Sequence, residues 1–176
     1  MDKRIEKTKR SIVNAFLEFR SRKAIEKITV KELCEKAEIN KSTFYTHFKD
    51  IYDLSEQLEI QTANEIISGL RHPEYLFSKP DIFTRELFYA YTAQGHLIHT
   101  LFSGSRANML LVRTENCLKE IIFSLRPDCR ENAAANVLFT HSIYGSFYAF
   151  EHCRGFGEDA VIDMLSEINR KIMELL

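Results

Sequence analysis

Apolar residues recur at helical spacing along most of the chain, and few segments alternate apolar and polar residues as strands do. In the first helix, predicted over about residues 3–22, Ile12, Val13, Phe16 and Leu17 form one apolar stripe. With only three Pro and six Gly in 176 residues, long segments lack a helix breaker. We therefore predict an all-α fold.

Capping signals place the borders of the following helices. Thr29 with Glu32 three residues later predicts a capping box at the start of a second helix. Asn40 is a good N-cap for a third helix over residues 41–48, and Asp50 for a fourth that ends near residue 70. After a linker from His72 to Pro80, further helices are predicted over residues 81–93, 95–102, 105–125, 129–153 and 159–175.

The second and third predicted helices are short, and Glu38-Ile39-Asn40 forms a turn between them. Two short helices joined by a three- or four-residue turn are typical of a helix-turn-helix, whose second helix enters the major groove of DNA. Ile39, Phe44 and Phe48 would anchor this helix from behind. The residues expected to face outward are Lys41, Ser42, Thr43, Tyr45, Thr46 and His47.

The outward set contains no carboxylate, unlike the preceding helix with its Glu32 and Glu35. A solvated surface helix normally carries acidic residues, whereas hydroxyl and amino groups bond to phosphates and base edges. Residues 1–53 also carry a net charge of +4 and residues 54–176 a net charge of −5, within a total of −1. A basic N-terminal part on an acidic remainder suits a protein that turns one end toward a polyanion.

Residues 5–60 resemble the DNA-binding head of the tetracycline-repressor (TetR) family. The matching elements are Ile28-Thr29-Val30, Leu33-Cys34-Glu35-Lys36-Ala37, Ser42-Thr43-Phe44-Tyr45 and His47-Phe48-Lys49-Asp50. The resemblance implies a three-helix head over residues 1–50 and a larger helical effector-binding and dimerisation body over residues 51–176. It further implies a sequence-specific transcriptional regulator, expected to be a homodimeric repressor that a small ligand releases from a double-stranded DNA operator.

The resemblance also assigns DNA contacts to Thr29, Lys41, Ser42, Thr43, Tyr45, Thr46, His47 and Lys49. Tyr45, His47 and Lys49 match positions that contact phosphates, and Thr46 occupies a variable position expected to read bases. Glu38 departs from the family, which commonly has Gly at this point of the turn. Since a left-handed backbone suits Gly best, we expect either an altered turn or a strain of about 1 kcal/mol at Glu38.

The body is expected to pair two copies of the chain through its last two helices, as members of this family usually do. The residues predicted for this interface are Leu138, Ser142, Gly145, Ala149, Val161, Leu165, Ile168 and Ile172. The middle helices would enclose a pocket for a small apolar or aromatic effector. The residues predicted to line it are His96, His99, Phe102, Asn108, Met109, Tyr144 and Tyr148.

Two alternatives remain open: a body that binds a protein partner instead of a metabolite, and a small enzyme with His or Cys chemistry. No motif supports the enzyme, so we predict neither catalysis nor a cofactor. His96 and His99 are spaced to hold a metal but lack a third ligand, and we predict no metal site. The four cysteines form no CxxC pair and are expected to be inert core thiols. Without a membrane span or secretory signal, we expect a cytoplasmic protein.

Overall fold

The computed structural model describes residues 3–176, with side chains from Arg4 onward. All regular structure over this range is helical, which confirms the predicted all-α class. The ten α-helices among these residues are α1 (Lys3–Arg20), α2 (Val30–Lys36), α3 (Lys41–His47), α4 (Ile51–Ser68), α5 (Tyr75–Ser78), α6 (Pro80–Ala93), α7 (Gly95–Leu101), α8 (Met109–Leu125), α9 (Ala133–Cys153) and α10 (Glu158–Met173). No helix of the described residues has the length and apolar character that a bilayer span requires.

Two helices begin four residues later than predicted, because each is preceded by a tighter turn. A 3₁₀ turn at Gly104–Arg106 precedes α8, and it begins on a left-handed Gly104 with φ 60°. A second 3₁₀ turn at Pro127–Cys129 precedes α9. Asn132 caps the start of α9, because its Oδ1 accepts a hydrogen bond of 3.1 Å from the backbone N–H of Ala135. The short helix α5 lies in the predicted linker.

The chain divides into two compact units. The first unit runs through Gln61 and takes in His96–Asn108, and the second comprises Thr62–Gly95 and Met109–Leu176. The predicted division between residues 50 and 51 differs from this arrangement. The first turns of α4 and a segment from the middle of the chain both belong to the first unit.

A buried guanidinium joins the two chain segments of the first unit. Arg20, at the end of α1, is 4% exposed. Its Nη2 donates to the carbonyl oxygen of Leu101 at 3.1 Å and to Oγ of Ser103 at 2.9 Å, and its Nη1 donates to the carbonyl oxygen of Lys23 at 3.1 Å. These bonds satisfy carbonyl groups at the end of α7 and after α1, and they hold the segment from residue 96 onward against the N-terminal helices.

A buried ion pair makes a second connection within the first unit. Glu59 of α4 is fully buried, and both of its oxygens accept from Arg106, at 2.8 Å from Nε and 2.5 Å from Nη2. The hydroxyl of Ser55, one turn earlier, also donates to Glu59 at 2.8 Å. A bidentate pair fixes both the position and the orientation of the guanidinium relative to the carboxylate, so the segment around Arg106 packs on α4 in one defined way.

The second unit is built from apolar packing between long helices. Its α10 packs against α6 and α9, and α9 also packs against α8. One core cluster contains Phe88 of α6, Phe150 of α9, and Ile162 and Leu165 of α10, with the rings of Phe88 and Phe150 4.9 Å apart. Gly157, with φ 112°, reverses the chain between α9 and α10.

Candidate nucleic-acid interface

A four-residue turn, residues 37–40, connects α2 to α3 and sets the direction in which α3 leaves. Its hydrogen bonds form a Schellman motif: Ile39 N–H donates to the Cys34 carbonyl at 3.0 Å and Glu38 N–H to the Glu35 carbonyl at 3.3 Å. The motif requires a left-handed residue, and Glu38 has φ 56°. Of the two expected outcomes, the turn keeps its left-handed residue, and Glu38 adopts a conformation that costs a residue with a side chain about 1 kcal/mol.

Asn40 caps α3 with a single oxygen that accepts three hydrogen bonds. The backbone N–H of Thr43 donates to Oδ1 of Asn40 at 2.8 Å, and the hydroxyls of Ser42 and Thr43 each donate to it at 2.7 Å. Thr46 donates its hydroxyl to the carbonyl of Thr43 at 2.7 Å. The cap therefore fixes the start of α3 and the orientation of the hydroxyl groups along it.

Two phenylalanines hold α3 from behind. Phe44 is fully buried and Phe48 is 2% exposed, with their ring centroids 5.8 Å apart. Lys9 of α1 places Nζ 5.7 Å from the centroid of the Phe48 ring. Since α2 packs against both α1 and α3, these rings belong to a small core that positions α3 rigidly.

The other face of α3 is exposed or half-buried. Lys41, Ser42, Thr46 and Lys49 are exposed, and the ring of Tyr45 is 56% exposed while its edge contacts Phe44. The side chains of Thr43 and His47 are half-buried. We call this set, together with Thr29 at the start of α2, the α3 surface. Thr29 is itself exposed and forms the predicted capping box with Glu32, with bonds of 2.7 and 3.3 Å.

Nearby carboxylates are engaged within the protein. The amino group of Lys23, 2.6 Å away, and the backbone N–H of Thr29 lower the pKa of Glu32. The backbone N–H of Lys49 and the amide of Gln57 lower the pKa of Asp53. Within the described chain, Lys41 and Lys49 of the α3 surface form no ion pair, so their charges face solvent and can meet an external anion.

A separate cavity of about 90 Å³ lies inside the second unit. Its wall consists of Ile66, Leu76, Pro80, Phe83, Thr84, Leu87, Phe88, Tyr91, Leu110, Leu111, Thr114, Leu118, Ile122, Phe139, Ser142, Ile143, Ser146, Phe147, Asn169 and Met173. None of these lining residues carries a charge. The cavity is larger than the roughly 10–15 Å³ that one water needs and smaller than the roughly 150 Å³ of an engineered cavity that binds benzene.

Three buried polar side chains from three helices meet in the wall of this cavity. Asn169 of α10 donates to Thr84 of α6 at 3.2 Å and to Ser146 of α9 at 3.0 Å. Ser142 lies one turn before Ser146, and its buried Oγ has no hydrogen-bond partner among the described groups. A buried hydroxyl without a partner costs about 1–3 kcal/mol, so this atom is a preferred point of attachment for a guest.

None of the seven residues predicted to line an effector pocket borders this cavity. Four of them belong to the first unit: His96, His99 and Asn108 are exposed, and Phe102 is buried within it. The other three belong to the second unit. Met109 and Tyr144 are half-buried, and Tyr148 is 48% exposed. The hydroxyl of Tyr144 donates to Glu115 at 3.0 Å. The described residues contain no group of three or more potential metal ligands.

The residues predicted for a dimer interface are divided between core and surface. Leu165 is 5% exposed and belongs to the core cluster around Phe150, so it is corrected to a core residue. Half-buried Ala149 and Val161 pack on that cluster, and Ser142 lines the cavity. Leu138 and Ile172 are half-buried, while Gly145 and Ile168 are exposed.

Four large apolar side chains of α9 and α10 are exposed, and three of them are absent from the predicted interface. Val137 is 66% exposed, Tyr148 48%, Met164 62% and Ile168 42%. Val137, Gly145 and Tyr148 recur at helical spacing on α9, and Met164 and Ile168 are one turn apart on α10. Their spacing was visible in the sequence, but an apolar stripe alone does not distinguish an internal face from an external one.

The polar wall of the cavity left a weak signal in the sequence. Asn169 interrupts the apolar stripe of α10 between Ile168 and Ile172, and Ser142 and Ser146 lie one turn apart on α9. Polar residues on an internal face indicate hydrogen-bonded partners or a binding site.

Comparison of the chain with protein-family models, with curated proteins and with solved structures gives no match.

Proposed function

We propose that this protein is a sequence-specific DNA-binding transcriptional regulator, in which α2 and α3 act as a helix-turn-helix and α3 is the recognition helix. The observation that carries the proposal is the α3 surface: a short helix, held from behind by Phe44 and Phe48, that presents hydroxyl, amino, phenol and imidazole groups without a carboxylate. Its resemblance in sequence to the TetR family is a second support.

The groups of the α3 surface divide by the part of DNA that they suit. Lys49 lies just beyond α3, and Tyr45 projects half of its ring into solvent, so both can reach the phosphate backbone. Lys41 and Thr46 lie on exposed positions of the helix itself, where side chains of a recognition helix meet base edges. We therefore assign affinity to the first pair and sequence preference to the second.

The chain is proposed to act as a homodimer, because an operator with two half-sites needs two copies of the recognition helix. The residues proposed for pairing are the exposed Val137, Gly145 and Tyr148 of α9 and the exposed Met164 and Ile168 of α10. Apolar side chains as exposed as Val137 and Met164 gain burial when they meet a second copy of the chain, which favours these helices as the interface.

Repression relieved by a small effector is the regulatory scheme that we propose. The cavity in the second unit supports it over a body that binds only a protein partner. An effector can shift DNA affinity only by the difference between its affinities for the DNA-bound and released states.

DNA binding is tested by fluorescence anisotropy on DNA that flanks the gene, at several salt concentrations. Lys49→Ala is expected to weaken binding to every bound sequence about equally and to lower the slope of log affinity against log salt by about 1. Lys79→Ala, which removes an exposed lysine of the second unit, is the matched control and should leave the slope unchanged. An unchanged slope in Lys49→Ala would contradict the proposed docking of α3.

Dimerisation is tested by sedimentation over a range of protein concentrations. Met164→Glu places a charge on the proposed interface and is expected to raise the dimer dissociation constant by at least about tenfold, since an unpaired charge is costly to bury. Val112→Glu alters another exposed apolar residue of the second unit, 37% exposed on α8, and should have no effect. Equal effects of the two substitutions would place the interface elsewhere.

A further inference from the structure

We propose that the cavity of the second unit binds an uncharged, single-ring aromatic molecule carrying one hydroxyl or carbonyl group, with Ser142 as its polar contact. The inference deepens the proposed regulatory function, on which it rests for the effect of binding on DNA. Binding itself is a property of the second unit and can be measured without DNA.

The charge of the ligand follows from the wall. None of the lining residues is an acid, a base or a histidine. An ion placed there would lose its hydration without gaining a countercharge, which disfavours carboxylates and ammonium groups strongly. The ligand must therefore be neutral.

The size and shape of the ligand follow from the volume and from the rings around it. A volume of about 90 Å³ is far below the roughly 300–1,000 Å³ of pockets for drug-sized ligands and below the roughly 150 Å³ of a cavity that binds benzene. One small ring is therefore the largest guest, and it enters only if the side chains of the wall shift to enlarge the space. Five aromatic side chains face the cavity, among them Tyr91 and Phe147, whose rings meet edge to face with centroids 5.6 Å apart. Rings arranged in this way offer faces and edges to a further ring.

The polar group of the ligand follows from the state of the polar atoms in the wall. Asn169 is hydrogen-bonded to both Thr84 and Ser146, and the hydroxyl of Tyr91 donates to Glu151 at 2.9 Å. Ser142 Oγ is buried and has no partner among the described groups. A hydroxyl can both donate and accept, so either a hydroxyl or a carbonyl on the ligand can satisfy it.

The test compares phenol with toluene, which replaces the hydroxyl by a methyl group of similar size. Binding is measured by isothermal titration calorimetry, or by ligand-observed NMR at millimolar ligand. Toluene leaves water more readily than phenol does, so the readout is the change caused by a substitution and not the absolute preference. Ser142→Ala is expected to weaken phenol binding about tenfold and to change toluene binding less than about twofold.

Two controls accompany this measurement. Ser124→Ala removes an exposed serine hydroxyl from α8 and should leave both dissociation constants unchanged. Benzoate, a charged single ring, should not bind. The inference is overturned if neither phenol nor toluene binds, if benzoate binds as well as phenol, or if Ser142→Ala shifts phenol and toluene equally.

Failure of this inference can be separated from failure of the proposed function. DNA binding without binding of either ring would overturn the ligand assignment and leave the DNA-binding regulator intact. If the protein binds phenol with the expected dependence on Ser142 but binds no DNA, the ligand assignment is supported and the proposed function as a transcriptional regulator is contradicted.

Discussion

The two units of this protein both have apolar cores but differ in the polar side chains buried within them. The charged side chains that are buried among the described residues, Arg20 and Glu59, both lie in the first unit and are hydrogen-bonded across distant parts of the chain. The buried polar side chains of the second unit are uncharged, and its core surrounds a cavity. Buried ionic bonds tolerate little displacement, whereas apolar packing around a space can adapt to a guest. Directional ionic bonds thus fix the segment around residues 101–106 in the first unit, whereas the interior of the second unit has room to adapt to a guest.

The largest effect is expected from breaking the buried ion pair of the first unit. Arg106→Ala leaves the carboxylate of Glu59 buried without its partner and should lower the free energy of unfolding by about 3–5 kcal/mol. Arg85→Ala, which removes an exposed ion pair with Asp163 in the second unit, should cost less than about 1 kcal/mol. Urea denaturation followed by circular dichroism gives both values. Similar losses would mean that buried charge does not distinguish the first unit.

A slightly smaller effect is expected from removing apolar volume in the second unit. Ile162 is 1% exposed, and Ile162→Ala should cost about 3 kcal/mol through lost burial and a new void. Ile82→Ala, at a position 36% exposed in the same unit, should cost less than about 1 kcal/mol. The measurement is the same denaturation. A near-neutral Ile162→Ala would show that the apolar core is already loose.

Two glycine substitutions near the turn before α3 are expected to change the stability of the first unit in opposite directions. Glu38→Gly relieves the left-handed conformation at φ 56° and should stabilise the first unit by about 1 kcal/mol. Glu35→Gly, within the regular α2 helix, should destabilise it by roughly 0.5–1 kcal/mol. Hydrogen exchange of backbone amides in α2 and α3 reports the change locally. Destabilisation by both substitutions would exclude strain at Glu38.

The smallest effect depends on pH. The backbone N–H of Lys49 holds the pKa of Asp53 below its ordinary value of 3.8, so the ionised carboxylate stabilises the folded chain near neutral pH. Asp53→Asn should therefore cost roughly 0.5 kcal/mol at about pH 6, and the difference should shrink as the pH falls toward about 3 and the wild-type carboxyl takes up a proton. Denaturation at several pH values measures it. A difference that grows in acid would contradict this role.

The start of α3 could be predicted from the sequence because it depends on neighbours. Asn40 and Thr29 cap helices by bonding to residues three positions later, so the caps are legible in short windows. The strain at Glu38 was visible for the same reason. The all-helical class followed from apolar periodicity over much longer segments.

A pocket in the body was predicted, but its lining and the division into units could not be, because both depend on contacts between distant residues. Asn169 meets Thr84 across 85 positions, and Arg20 reaches Ser103 across 83. Periodicity shows that a residue faces inward without showing what it faces. For this reason Leu165, on the apolar stripe of α10, was assigned to an interface although it belongs to the core, and His96 and His99 were assigned to a pocket although they lie in the first unit.

In the proposed complex with DNA, the three hydrogen bonds that Asn40 accepts would restrict what α3 offers a base pair. The hydroxyl protons of Ser42 and Thr43 are committed to Oδ1 of Asn40, and that of Thr46 to a backbone carbonyl. While these bonds persist, the three hydroxyls would meet DNA in the proposed complex only through oxygen lone pairs, and phosphates offer them no proton. Their complement in the major groove is an exocyclic amino group, found on cytosine and adenine. If α3 is the recognition helix as proposed, its half-site is expected to be rich in such amino groups opposite α3, with guanine and thymine on the paired strand.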